Sequence, residues 1–135
     1  MTGDLLGYGE WQHSAPFRSS NDRGDLAALL PLDGFGATAA RVIVVTDVPP
    51  GAVRGGHGHR VARQAIHAVA GTFDILVSLT PDPADATRVA MNSTSDPLVA
   101  GPGVWLWLQE FSADAVAVEV FDHPHDPAEL IDTVD

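Results

Sequence analysis

Residues 51–71 read GAVRGGHGHRVARQAIHAVAG, and their spacing decides the fold: Gly51, five residues, His57, one residue, His59, four residues, Gln64, six residues, Gly71. Residues two apart on a β-strand point to one face, so His57 and His59 project together. A tight turn after His59 lets Gln64, on the following strand, point into the same space. Gly71 then closes the next hairpin.

Outward from this block the chain is a series of short β-branched or apolar runs separated by Gly, Pro and Asp clusters at fairly even spacing, the rhythm of a sandwich or barrel. The runs are 26–30, 41–48 (RVIVVTDV), 56–59, 64–69, 73–79, 87–91, 104–108 and 115–121. Eight such runs predict the eight strands of a jelly roll, an all-β fold. Breaks fall at PLDGFG (31–36), PPGAVRGG (49–56), TPDPADA (80–86), STSDP (93–97) and VAGPG (99–103). Residues 1–16 read as an N-terminal arm and 17–135 as a single domain. One short C-terminal helix is expected, with Asp126 as cap, Pro127 at its first position and AELID following.

The 135 residues are 45% hydrophobic and 19% charged, an ordinary globular balance for one domain. Seven basic against eighteen acidic residues give a net charge of −11, which repels nucleic acid and anionic membranes. All seven cations are arginine, so Schiff-base chemistry through lysine and a P-loop lysine are excluded. The absence of cysteine removes disulfides, zinc–thiolate sites and thiol nucleophiles. The N-terminal MTGDLLGYGEWQHS lacks a basic n-region and an apolar h-region, and no run of 18 apolar residues occurs, so a cytoplasmic location is the expectation.

The Gly51–Gly71 spacing is that of the first signature of the cupins, with Gln64 where a metal-binding member has Glu. A metal reading needs at least three good ligands. The stretch where a further histidine is expected, GPGVWLWLQEF (101–111), supplies Trp105 and Trp107 instead. The other reading is metal-free acid–base work by the histidine pair, since imidazole titrates near neutrality, and this is the one adopted, with no cofactor. Arg41, Arg54, Arg60 and Arg63 crowd around the pair in an otherwise acidic chain, which suits an anionic small molecule held by guanidinium forks. Arg60 and Arg63 have the alternative of decorating a turn, so Arg41 and Arg54 are the substrate-binding candidates.

At RGGHGHRVARQ (54–64) the sequence resembles the WxcM-like cupins, the nucleotide-sugar 3,4-ketoisomerases that act on dTDP-4-keto-6-deoxyglucose. The likeness extends to DRGDL (22–26), to the block from Arg41 to Gly71, and to FSADAVAVEVFDHPHDPAELID (111–132). The resemblance implies a metal-free isomerisation through an enediol(ate). His59 would be the base, His57 its partner, Arg54 and Arg41 the diphosphate contacts, and Gln64 a holder of hydroxyl groups. Val44 and Thr46 stand where the family has tyrosines, Glu119 takes a normally apolar strand position, and His123 and His125 replace an Asp and a Tyr.

Several residues carry two readings. Trp105 and Trp107 share a strand face and are assigned to a substrate-binding wall, with core packing as the alternative. Glu119 is expected to face solvent or a subunit rather than act as an added acid. His67, out of phase with Gln64, belongs on the outer face, and His123 and His125 at the surface or an interface. The apolar excess and the arm favour a homodimer. The leading expectation is an isomerase shifting a keto group on a nucleotide-linked 4-keto-6-deoxy sugar. Two alternatives keep the scaffold: a cyclase or isomerase of secondary metabolism acting on a hydrophobic intermediate, or a non-catalytic ligand-binding cupin.

Overall fold

A computed structural model describes residues 4–132. All eight runs read from the sequence coincide with strands, and four further strands join them. In chain order the twelve are β1 (Trp11–His13), β2 (Phe17–Asn21), β3 (Gly24–Ala28), β4 (Arg41–Thr46), β5 (Arg54–His59), β6 (Gln64–Ala70), β7 (Thr72–Ser78), β8 (Thr87–Asn92), β9 (Leu98–Ala100), β10 (Trp105–Gln109), β11 (Val116–Phe121) and β12 (Leu130–Asp132). Two five-stranded antiparallel sheets, β1-β9-β6-β11-β4 and β12-β5-β10-β7-β8, make the jelly roll, and β2–β3 form a separate hairpin. Among the described residues no helix is long and apolar enough to cross a membrane.

Alternation along the strands builds the interior. Ile66 and Ala68 of β6, Phe73, Ile75 and Val77 of β7, Leu106 and Leu108 of β10 and Ala117 of β11 share one buried cluster between the sheets. Ile66 and Ile75 are fully buried there, each burial contributing about 1.5–3 kcal/mol. A second cluster lies on the outer side of the first sheet, where Leu6, Leu32 and Phe35 cover Ala65, Val99 and Val120. Gly71, the turn residue of the opening spacing, has φ +66°, and a Cβ there would stand 2.6 Å from the Cα of Ala115. Only glycine fits.

The C-terminal helix is not formed. Asp126 does accept a hydrogen bond from the Ala128 N–H, and Pro127 does sit at the first turn, but that turn is a single 3₁₀ turn, Pro127–Glu129. The chain then extends and pairs antiparallel with β5, Leu130 opposite His59 and Ile131 opposite Gly58. Pairing with an open strand edge satisfies more backbone groups than one further helical turn would. Within the N-terminal segment read as an arm, β1 pairs with β9 at the edge of the first sheet.

Candidate active site

The histidine strand β5 is bulged, and the bulge assembles the site. Opposite β10, His57 pairs with Leu106 while Gly55 pairs with Trp107 and Arg54 with Leu108, so Gly56 is an extra residue. In a regular strand Arg54, three positions before His57, would point to the opposite face. The extra residue resets the alternation and brings Arg54, His57 and His59 to one side. Gly55 and Gly56 have φ of +87° and +88°, and a Cβ on Gly55 would lie 2.6 Å from the Leu106 carbonyl oxygen. The Gly-Gly pair before the histidines is therefore what the bulge demands.

These side chains line a cavity of about 190 Å³ between the two sheets. One wall is Arg54, His57 and His59 with Leu106 and Leu108. The facing wall is Arg41 and Ile43 of β4, Gln64 of β6, and Glu119 and Phe121 of β11, with His125 and Leu130 also lining it. Arg41 lies over the Phe121 ring, 5.2 Å from its centroid, and donates to Nδ1 of His125 at 3.2 Å.

His59 is held from behind. Its Nδ1 is 2.7 Å from Oε2 of Glu129, and its ring packs 5.3 Å from that of Phe121. Glu129 is buried, and its Oε1 accepts from the backbone N–H groups of Ala62 at 2.7 Å and Val61 at 3.2 Å. Burial pushes this carboxyl up, but the hydrogen bonds from His59, Ala62 and Val61 outweigh it and leave it below the usual carboxylate range. Glu129 is thus an acceptor, which places the Nδ1 proton on His59 and leaves Nε2 as the basic nitrogen.

Glu119 faces into the cavity, contrary to its expected outward placement. The chain register decides this: Glu119 lies opposite Ile43 and Ile66, both cavity- or core-facing, and in phase with Ala117 and Phe121. Gln64 donates its amide N–H to Oε1 of Glu119. Burial raises the Glu119 carboxyl, against the lowering effects of the Gln64 bond and of Arg54, Arg41 and His57.

Of the residues singled out from the sequence, the fold brings together His57, His59, Arg41, Arg54 and Gln64. Trp105 and Trp107 do not line this cavity. They occupy the other face of β10, opposite Ser78 and Leu76, and Leu106 and Leu108 form the wall instead. Both tryptophans are buried, with Trp105 stacked close over Gly58. Arg63 is structural, bonding Asp122 at 3.1 Å and the Leu6 carbonyl at 2.7 Å, while Arg60 is exposed. His67 faces away from the cavity, as its phase requires, and burial followed by the charge of Arg18 lowers it to about 4. His123 sits by Asp122 at 2.7 Å, whereas His125 reaches the cavity. Glu129 lies in the segment whose pattern predicts a helix, so the sequence gives no sign of its place behind His59. Among the described residues, no group of three or more His, Cys, Asp or Glu is placed to hold a metal ion.

Residues 13–135 match the family described as FdtA: WxcM-like, C-terminal. No curated protein sequence matches the chain. Among solved structures it is similar to QdtA, a sugar 3,4-ketoisomerase from Thermoanaerobacterium thermosaccharolyticum in complex with TDP, with 22% identity, TM-score 0.77 and coverage of 90% of this chain and 86% of that one. The WlaRB TDP-quinovose 3,4-ketoisomerase from Campylobacter jejuni superposes with TM-score 0.76 at 23% identity over 91% of this chain and 92% of its own. NovW, a 4-keto-6-deoxy sugar epimerase from the novobiocin gene cluster of Streptomyces spheroides, gives TM-score 0.73 at 18% identity over 94% of this chain and 70% of its own.

Proposed function

The chain belongs to the WxcM-like, C-terminal family, and from that premise we propose that it is a metal-independent isomerase that shifts a keto group by proton transfer on a nucleotide-linked 4-keto-6-deoxy sugar. The observation that carries this reading is the oriented His59. Its Nδ1 lies 2.7 Å from a buried carboxylate, which leaves Nε2 as the ring nitrogen for proton transfer, in a cavity walled by Leu106, Leu108, Phe121 and Leu130. Such a base removes a proton from the carbon beside a ketone and returns one to the neighbouring carbon, with an enediol(ate) between. His57, two residues away on the same face, is its partner.

The cavity is smaller than the roughly 300–1,000 Å³ of sites that swallow a whole drug-sized ligand. The reacting sugar fits inside and the nucleotide lies beyond the mouth, with the diphosphate on Arg54 and Arg41. In a protein of net charge −11, two arginines lining one cavity favour an anion locally. The test is incubation with dTDP-4-keto-6-deoxyglucose in D₂O. Deuterium at the carbon beside the ketone and formation of the 3-keto isomer are expected, at a rate unchanged by dialysis against EDTA. Absence of both exchange and binding overturns the reading, and loss of activity on chelation overturns its metal independence.

The same reading includes a homodimer. Val42 and Val44 on the edge strand β4 are 58% and 62% exposed, and Phe17 and Leu26 stand out on the β2–β3 hairpin. Apolar side chains on an open strand edge are an association surface. Sedimentation at micromolar concentration is expected to give a dimer, and Val44→Arg a shift toward monomer. A monomeric wild type overturns this part.

A further inference from the structure

We propose that Glu119 is a second catalytic acid–base group, which carries the oxygen-bound proton while His59 carries the carbon-bound one. The proposal rests on the isomerase reading above and adds to it a carboxyl that the fold turns into the cavity.

Placement is the first argument. Glu119 stands on β11 in the sheet that faces β5, so a ring lying in the cavity has the histidines on one side and this carboxyl on the other. Its neighbours in phase on the strand are Ala117 and Phe121, and its cross-strand partners are Ile43 and Ile66. Burying an acid among such residues costs stability that its hydrogen bond and nearby cations offset only in part, and a buried acid of raised pKa that lines a cavity is the pattern of a functional group. Around it are Arg41 of β4, Arg54 and His57 of β5 and Gln64 of β6, with His59 and His125 also lining the cavity. The facing residues of β10, Leu106 and Leu108, are apolar.

Hydrogen bonding supplies the second argument. The Gln64 amide donates to Oε1 of Glu119 and is itself buried, so that oxygen is an acceptor in either protonation state. In the protonated acid the proton therefore sits on Oε2. Burial raises the carboxyl even with both guanidiniums beside it. A diphosphate bound to Arg41 and Arg54 offsets those two cations, so substrate binding itself favours the protonated acid.

The proton balance closes. As His59 takes the proton from the carbon bearing the hydroxyl, the C–H electron pair forms the C=C bond and the carbonyl π pair goes to oxygen, which takes the Glu119 proton; an enediol results. The Glu119 carboxylate then accepts the proton of the other enediol hydroxyl. That oxygen becomes the new carbonyl, the C=C pair captures the proton held on His59, and both groups return to their starting states.

The test compares Glu119→Gln with the wild type on dTDP-4-keto-6-deoxyglucose in D₂O. Gln keeps an oxygen for the Gln64 amide and cannot shuttle a proton. The expected result is a loss in kcat on the order of 10²-fold, with KM and dTDP-glucose binding within a few-fold of wild type. Exchange at carbon should also fall less than ketone transposition. A carboxyl whose folded pKa is raised contributes stability that is fully present below its unfolded pKa and is lost as pH rises through the folded one, so the variant should melt no lower than wild type at neutral pH. A kcat within twofold of wild type, or a rise confined to KM, overturns the catalytic role. A wild type that binds dTDP-glucose but converts nothing overturns the isomerase reading, and with it this proposal.

Discussion

Replacing His59 with alanine will lower kcat for ketone transposition by about 10²–10⁴-fold, the range a positioned general base supplies, and will abolish deuterium incorporation at carbon. Binding of dTDP-glucose will change little, because the cations that line the cavity with His59, Arg41 and Arg54, are on β4 and on the far side of the Gly55–Gly56 bulge. The variant will fold: His59 lies on β5, and its removal leaves the β5–β10 and β5–β12 ladders intact. The same substitution at His57, which is exposed where His59 is partly buried, removes the partner and not the oriented base, and should cost less. If His59→Ala retains more than a tenth of the wild-type kcat, His59 is not the base. If it also loses nucleotide binding, its role is in holding substrate.

The sequence made the long strands legible because their apolar residues alternate or run together over five or more positions. β6 and β7 are the clearest, with Ile66, Phe73, Ile75 and Val77 all in the buried cluster. The three-residue strands were not legible. β9, Leu98–Ala100, overlaps a stretch punctuated by Gly and Pro and read as a break, and β12 follows a sound helix-capping pattern that tertiary pairing overrides. The site divided along the same line. His57, His59 and Gln64 follow from period-two geometry and a turn, so spacing alone placed them together. Which face of WLWLQ meets the cavity could not be read, because both faces of β10 are apolar. The register that sets Leu106 opposite His57 chose the leucines over the tryptophans. Glu119 raised the same ambiguity on β11, where a charged residue in an apolar strand is ordinarily an outward one. Its partner Gln64 was recognised, but their contact is a property of the β6–β11 register, in which Phe121 stands opposite Gln64.

The carboxylate behind His59 has a comparably large expected effect, because it sets which nitrogen of the ring is basic. In Glu129 the two oxygens have divided duties: Oε1 accepts from the Ala62 and Val61 N–H groups, and Oε2 accepts from Nδ1 of His59. In Glu129→Gln the backbone N–H groups hold the amide oxygen in the Oε1 position, so the NH₂ group takes the place of Oε2. It can only donate to Nδ1, which forces the His59 proton onto Nε2 and turns the base at the cavity into a donor. The expected loss in kcat is again about 10²–10⁴-fold with dTDP-glucose binding preserved. The double variant with His59→Ala should be no worse than His59→Ala alone, since both remove one unit. Stability gives an independent readout. A carboxyl whose folded pKa lies below its unfolded value contributes stability above the unfolded pKa and loses it as pH falls through the folded one. Wild type should therefore exceed Glu129→Gln in melting temperature near neutrality, and the gap should close below about pH 4. A variant of unchanged kcat would show that the tautomer of His59 is set by something other than Glu129, and a gap that widens on acidification would show that this carboxyl is not held ionised by the fold.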